Sequence, residues 1–123
     1  MGRKPFIYLV EDEPAHAMLL TYHIEKLGYE VIHFENSVDF LDALPADLEF
    51  LIVSDQLADM AATKLCQIVR DKLNKPIRMI ITSTGVTNQP CECSSFASFL
   101  QKPFSITDLK EKLNYTFQHH SLT

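Results

Sequence analysis

Five polar side chains stand at or just beyond the ends of four short apolar runs in this sequence. They are three carboxylates, a hydroxyl and an ammonium, namely Glu11, Asp12, Asp55, Thr82 and Lys102. Carboxylates packed together repel one another, and Mg²⁺ relieves that repulsion because it prefers oxygen ligands. A carboxylate can also attack phosphorus to form an aspartyl phosphate, whose oxygens a hydroxyl and an ammonium can hold. If these side chains meet, the sequence predicts Mg²⁺-dependent phosphoryl transfer to a carboxylate.

The elements that must bring these residues together begin with short apolar runs rich in aromatic and β-branched residues. Such runs predict buried strands. The five predicted strands cover residues 6–10, 31–34, 50–54, 77–82 and a short stretch within 97–101. Asp12 follows the first of them, Asp55 the third and Lys102 the fifth, while Thr82 ends the fourth.

Helical patterns lie between the strands. Pro14 suits a first helical turn, and Gly28 suits the position just after a helix C-terminus. Ser37 is a suitable N-cap for a helix that runs to residue 44, and Ser105, with Asp108 three residues on, predicts a capping box for the last helix. The other predicted helices cover residues 61–73 and a short segment within 86–95.

The predicted order is therefore strand and helix repeated five times. Alternation of this kind predicts a parallel sheet with helices on both of its faces. In an open sheet of this kind ligands bind outside the carboxyl ends of the strands. The carboxylates, the hydroxyl and the ammonium are thus expected to converge at one edge of one sheet.

Composition limits the function classes. The chain has 123 residues, 11 Lys and Arg against 16 Asp and Glu, and a net charge of −5. One domain over residues 1–123 is expected at this length, and the negative charge argues against direct nucleic-acid binding. The three glycines form no phosphate-binding loop, and the odd number of cysteines argues against a disulfide framework. With no apolar run long enough for a membrane span or a signal peptide, we expect a cytoplasmic protein with no membrane contact.

Four short motifs resemble the receiver domain of two-component response regulators, and the resemblance covers essentially the whole chain. They are LVEDEP at 9–14, VSD at 53–55, ITS at 81–83 and FLQKPF at 99–104. The resemblance implies a flavodoxin-like (βα)5 fold, doubly wound around a five-stranded parallel sheet. It also implies a signalling switch in a two-component phosphorelay rather than a turnover enzyme. The expected partners are a histidine kinase or histidine phosphotransfer protein as donor, and a downstream output domain or partner protein.

The resemblance assigns a role to each matched position. Asp55 would be the phosphoacceptor, and Mg²⁺ would be the cofactor. The metal ligands would come from the acidic residues and one backbone carbonyl, namely Glu11, Asp12, Asp55 and the carbonyl of Leu57. Thr82 and Lys102 would bind the phosphoryl group. Thr82 and Phe99 would form the switch that changes the face built from the fourth helix, the fifth strand and the fifth helix.

Two segments depart from the family pattern. After Asp55 such domains usually continue with a proline four residues on and a glycine four beyond that, whereas residues 56–62 (QLADMAA) contain neither and are slightly shorter. Ala62 would take the glycine position, where a positive φ would cost an alanine stability. The segment between Thr82 and Lys102 is also shorter than usual. These departures keep open the alternative of a degenerate receiver that binds protein without being phosphorylated.

Two enzyme-like or ligand-binding alternatives have weaker support. A hydrolase with an aspartyl-phosphate intermediate usually needs a second acid two residues after its nucleophile, and that position is Leu57. A nucleotide or flavin site in the same architecture would meet an acidic first turn at Glu11 and Asp12, which would repel phosphate. The phosphoacceptor hypothesis is therefore favoured over these enzyme and ligand-binding alternatives.

Overall fold

Five parallel strands form the sheet at the centre of the structure, a computed structural model that describes residues 6–55, 57–75, 77–83, 97–101 and 105–118. The strands are β1 (Phe6–Val10), β2 (Glu30–Phe34), β3 (Phe50–Ser54), β4 (Arg78–Ser83) and β5 (Ala97–Gln101). Their order in the sheet is β2-β1-β3-β4-β5, and every neighbouring pair is parallel. The predicted five-stranded parallel sheet is confirmed. β1 and β3 lie side by side at its centre, where the strand order reverses direction.

Four helices connect or follow the described strands. They are α1 (Pro14–Lys26), α2 (Ser37–Asp42), α3 (Ala62–Leu73) and α4 (Ile106–Gln118). The helix predicted within 86–95 falls outside the described residues, so α4 is the label of the last helix of the chain. Among the described residues, no helix combines the length and the apolar content that crossing a membrane requires.

Two hydrophobic cores lie on opposite faces of the sheet, because successive strand side chains point to opposite sides. In β3, Phe50 and Ile52 belong to the core beneath α1 and α4, while Leu51 and Val53 belong to the core beneath α2 and α3. All five residues of β3 are buried. This two-sided burial explains why the central strands are continuous apolar runs rather than alternating ones. The prediction of helices on both faces is confirmed.

Helix ends agree with the sequence at some positions and differ at others. The capping box of α4 is present, since Asp108 N–H donates to Ser105 Oγ at 3.0 Å and Ser105 N–H donates to Asp108 Oδ2 at 3.2 Å. Gly28 follows α1 with φ 103°, which a residue without Cβ adopts readily.

The N-cap predicted for α2 was wrong by one residue. Asn36, not Ser37, is the cap, because its Oδ1 accepts the Asp39 N–H at 2.7 Å. The helix also ends at Asp42 rather than at residue 44. Both residue types are good caps. Asn36 is the cap because its side chain lies where it can accept the N–H of Asp39, the third residue of the helix.

Candidate functional site

Parallel pairing brings the two acidic loops after β1 and β3 to the same edge of the sheet. Val10 pairs with Val53, so Asp12 and Asp55 each lie two residues beyond the same step of the register. Neighbouring strands are about 4.8 Å apart. The two predicted carboxylates of the first and third strand ends are therefore carried by adjacent segments.

Asp55 is joined to the next strand along the sheet. Its N–H donates to the carbonyl of Thr82 at 2.9 Å, which extends the pairing of β3 with β4 by one residue. Thr82 is fully buried, and Asp55 is partly buried. The Oδ1 atom of Asp55 and the Oγ1 atom of Thr82 are both buried, and no residue in the described part of the chain gives either a hydrogen-bond partner. Two buried oxygens, one from a carboxylate and one from a hydroxyl, thus lie on neighbouring backbone segments.

Glu11 is held in place by the backbone around it. Its side chain is 1% exposed, and its Oε2 accepts the N–H of Glu13 at 3.1 Å. Its N–H donates to the carbonyl of Phe34 at 3.1 Å, and its own carbonyl contacts Nε2 of His33 at 2.8 Å. These contacts fix the turn that carries Asp12.

Asp12 is bonded to the loop that follows Asp55. Its Oδ2 accepts the N–H of Ala58 at 2.9 Å, a contact across 46 positions of the chain. The neighbouring Leu57 is buried and packs with the core beneath α2 and α3. The acidic turn after β1 and the short loop after β3 are therefore one connected unit.

The same loop is bonded to α2 on its other side. Asp59 Oδ2 accepts the N–H of Ser37 at 3.0 Å and the N–H of Val38 at 3.2 Å. Asp59 is not among the site residues that the sequence predicts. No local pattern could have revealed a contact with residues that lie 21 and 22 positions earlier. The residue stands where the family pattern usually has proline.

The alanine at the usual glycine position carries no backbone strain. Ala62 is the first residue of α3 and is buried, and Asn74 is the one non-glycine residue with positive φ in the described part of the chain. The short loop therefore enters α3 by another route, with Ala61 extended at φ −66° and ψ 141°. The stability cost that a left-handed alanine would bring does not arise.

The remaining predicted site residues lie on or beyond β5. Phe99 pairs with Ile81 of β4, is partly buried, and packs against the core beneath α2 and α3. Leu100 pairs with Thr82, and Gln101 with Ser83. Lys102 follows Gln101 directly in the sequence but lies outside the described residues, so its expected place near the phosphoryl group remains a prediction.

The carboxylates are not assembled into a ready-made metal cage. In the ranges that the structure describes, no three His, Cys, Asp or Glu side chains are grouped closely enough to hold a metal ion. The donor chemistry nevertheless fits Mg²⁺, since Asp55 offers a buried oxygen without a described partner and Asp12 lies at the same edge. Mg²⁺ keeps several waters and needs few protein carboxylates. Glu11 and Asp12, whose carboxylates accept backbone N–H groups, would contribute after local rearrangement.

Comparison with known proteins agrees with this fold. The family model of the response regulator receiver domain matches residues 7–114. The transcriptional regulatory protein FixJ of Bradyrhizobium diazoefficiens is 27% identical over 107 residues, a match that covers 85% of this chain and 52% of FixJ. The chain thus spans about half the length of this curated relative.

Two solved structures show the same fold. A receiver domain protein of Bacillus halodurans C-125 superimposes with a TM-score of 0.79 at 33% identity, covering 93% of this chain and 97% of the other. The chemotaxis protein CheY4 of Vibrio cholerae gives a TM-score of 0.83 at 18% identity, covering 94% of this chain and all of the other (100%). At the lower identity the likeness concerns the fold alone.

Receiver domains are signalling modules rather than turnover enzymes, generally bind Mg²⁺ at their phosphorylation site, and interact with histidine kinases and output domains. The family match covers far more than half of the sequence, and the five-stranded parallel sheet agrees with the fold of these solved structures. This chain belongs to the response regulator receiver domain family of two-component signalling.

Proposed function

We propose that this chain is a phosphoacceptor switch in which Asp55 receives a phosphoryl group from a histidine kinase or a histidine phosphotransfer protein. The observation that carries the proposal is the pair of buried oxygens, Asp55 Oδ1 and Thr82 Oγ1, without partners among the described residues. A buried polar atom normally finds a hydrogen-bond partner. Two such exceptions on adjacent segments of one sheet edge support a site that is completed by something transient.

In the proposed reaction a carboxylate oxygen of Asp55 attacks the phosphorus of the donor. A new O–P bond forms, the bond from phosphorus to the donor nitrogen breaks, and the electron pair of that bond stays with the histidine ring. When bound, Mg²⁺ would neutralise charge on the transferred oxygens, held by Asp12, Asp55 and, through its carbonyl, Leu57. Glu11 would support the same charge balance from its buried position.

Thr82 and Lys102 would hold the transferred group. The Thr82 hydroxyl donates to one phosphoryl oxygen, which gives its buried Oγ1 a partner. Lys102 balances negative charge, since phosphorylation adds about two charges and three acceptor oxygens.

Phosphorylation would change the conformation of the side of the sheet next to β5. Phe99 packs on the face of the sheet that Ile81 faces, whereas Thr82 is level with Leu100 on the opposite face, so a change at Thr82 would reach Phe99 through the paired backbones of β4 and β5. That change biases a two-state equilibrium of the predicted output face, which includes β5 and α4 and to which an output domain or a partner protein binds. Phe99 is partly buried, so a change in its position would alter the exposed surface beside β5. We further propose that residues 1–123 act as one domain, which the single continuous sheet supports.

One observation favours a second function, that of a receiver that binds protein without being phosphorylated. Asp12 Oδ2 is bonded to the Ala58 N–H, and no ready-made carboxylate group for a metal exists among the described residues. If Asp12 keeps this hydrogen bond and never binds a metal, the acidic residues only stabilise the loop. The domain then binds its partner through a surface that does not change. The two functions make opposite predictions for a small phosphodonor.

The deciding experiment is intact mass spectrometry after incubation with acetyl phosphate. With Mg²⁺ present we expect the mass to rise by one phosphoryl group, and EDTA should prevent the rise. Asp55→Asn should not respond, whereas Asp71→Asn, the same change at an exposed aspartate of α3, should behave like the unaltered chain. No mass increase in the unaltered chain would favour the phosphorylation-independent module.

A further inference from the structure

The Leu57–Ala58 peptide group faces Asp12 with its N–H side. The Ala58 N–H donates to Asp12 Oδ2 at 2.9 Å. In a trans peptide group the N–H and C=O bonds point in opposite directions. The Leu57 carbonyl is therefore directed away from the Asp12 oxygen that the same peptide group contacts. As the loop stands, Asp12 and the Leu57 carbonyl cannot both face one cation.

The residue after this peptide is fixed at a second place. Asp59 Oδ2 accepts the N–H groups of Ser37 and Val38, at 3.0 and 3.2 Å. These are the first two residues of α2, and the first N–H groups of a helix have no partner within the helix. The third one, that of Asp39, is satisfied by Asn36. Asp59 therefore completes the N-terminus of α2 and ties it to the loop beyond Asp55.

We propose that Asp59 links the cation site to α2. Cation binding at Asp12 turns the Leu57–Ala58 peptide, so that the Leu57 carbonyl replaces the Ala58 N–H at the acidic edge. Because Asp59 directly follows Ala58 and is fixed to α2, the turn changes its bonds to Ser37 and Val38. This inference rests on the proposed Mg²⁺ site. It adds a path by which cation binding changes α2 without involving β5.

The unusual loop makes this link specific to the chain. The loop is short, lacks proline at position 59, and enters α3 through Ala61 without a side-chain cap. Its described side-chain hydrogen bonds join it to Asp12 on one side and to the α2 N-terminus on the other, while Leu57 packs in the core. A movement of the loop at Asp12 is therefore expected to displace Asp59 and its bonds to α2.

The test is an NMR titration of the isotope-labelled chain with MgCl₂, which follows the backbone signals of six residues. They are Asp12, Asp55, Leu57, Ala58, Ser37 and Val38. We expect the Ala58 amide proton to move upfield as it loses its carboxylate acceptor, and the Leu57 carbonyl carbon to shift along the same curve. The Ser37 and Val38 amides should follow that curve too.

Two variants separate the hydrogen bond of Asp59 from its charge. Asp59→Asn and Asp59→Ala both remove one negative charge, but only the asparagine keeps an acceptor oxygen. We expect Asp59→Asn to retain the Mg²⁺ response of Ser37 and Val38, and Asp59→Ala to lose it while Ala58 still responds. If Asp59→Ala does not fold, the titration of the unaltered chain decides alone.

The outcomes distinguish this inference from the function on which it rests. If Asp12 and Asp55 respond to Mg²⁺ while Ala58, Ser37 and Val38 keep their shifts, the link is refuted and the cation site stands. An undiminished response of Ser37 and Val38 in Asp59→Ala would also refute it. If Asp12 and Asp55 do not respond, the proposed cation site is refuted and the link with it.

Discussion

Thr82 shows how the candidate site departs from ordinary core chemistry. The residue is fully buried and is the last but one of β4, yet its hydroxyl oxygen has no partner among the described residues. A buried, unsatisfied polar group costs about 1–3 kcal/mol. Asp55 Oδ1 on the adjacent segment is in the same condition. Such a cost is expected where a residue is retained for a partner that arrives only in another state of the protein.

A substitution at Thr82 should therefore separate stability from function. Thr82→Val keeps the shape of the side chain and removes the hydroxyl, so we expect the free energy of unfolding of the unphosphorylated chain to stay level or rise by about 1 kcal/mol. The extent of phosphorylation by acetyl phosphate should fall. Urea unfolding and intact mass measure the two effects. Thr82→Ser is the control that keeps the hydroxyl, and a loss of phosphorylation there would argue against the assigned role.

Tyr8 makes stability sensitive to alkaline pH. Burial, and then the negative charge of Asp47, raise the pKa of its phenol above the ordinary 10.0. The unfolded chain therefore releases this proton at lower pH than the folded chain does. Above pH 10 the folded state binds more protons, so its stability falls as pH rises toward the folded-state pKa, and the contribution is intact below pH 10.

The measurement for Tyr8 is the urea midpoint as a function of pH. Tyr8→Phe keeps the aromatic ring near Phe34 and Phe40, at centroid distances of 6.4 and 6.2 Å in the unaltered chain. We expect this variant to lose less stability than the unaltered chain above pH 10, with Asp47→Asn in between. Equal alkaline losses in all three proteins would show that Tyr8 is not responsible.

At the scale of elements, the start of α2 offers a direct comparison of two neighbouring polar residues. Asn36 accepts the Asp39 N–H at 2.7 Å, whereas Ser37 Oγ is buried with no hydrogen-bond partner among the described residues. Asn36→Ala should lower the free energy of unfolding by about 1 kcal/mol, because the cap is lost. Ser37→Ala should have no destabilising effect. Thermal or urea unfolding of the two variants tests this, and the reverse ranking would restore Ser37 as the cap.

The elements themselves could be predicted because their signals are local. The run at 50–54 predicted a buried strand, and both of its faces are covered. Ser105 and Asp108, three residues apart, predicted the start of α4. The α2 cap was misplaced because Asn36 and Ser37 carry equivalent local signals. The bonds from Asp59 to α2 could not be predicted, since nothing near residue 59 indicates which backbone amides it meets.

At the scale of the whole molecule, the site follows from the topology. Parallel strands place their carboxyl ends at one edge, which is why the sequence alone predicts that Asp12, Asp55 and Thr82 lie together. The pairing of Val10 with Val53 and of Ser54 with Thr82 places these residues on adjacent segments of that edge. The orientation of single groups was beyond reach, because the Ala58 N–H that Asp12 accepts depends on the conformation of a short loop.

The same sheet joins two separate cores, and this predicts how core mutations combine. Ile24 of α1 belongs to one core, and Ile81 of β4 belongs to the core on the opposite face. Each is almost fully buried, at 0% and 1% exposure. Ile→Val at either position should lower the free energy of unfolding by about 0.5–1.5 kcal/mol. Because no side-chain partner is shared across the sheet, the double variant should equal the sum within about 0.5 kcal/mol.

Both cores should nevertheless unfold together, since each depends on the five strands that lie between them. We expect one urea transition with the same midpoint by far-UV circular dichroism and by tyrosine fluorescence, in the single variants and in the double variant. If Ile24→Val separated the two transitions, the core beneath α1 and α4 would unfold independently. A signal generated at Asp55 could then reach α4 by local unfolding rather than by a shift of a cooperative structure. Coincident transitions in all four proteins would instead require the switch to act within one cooperative unit, as proposed.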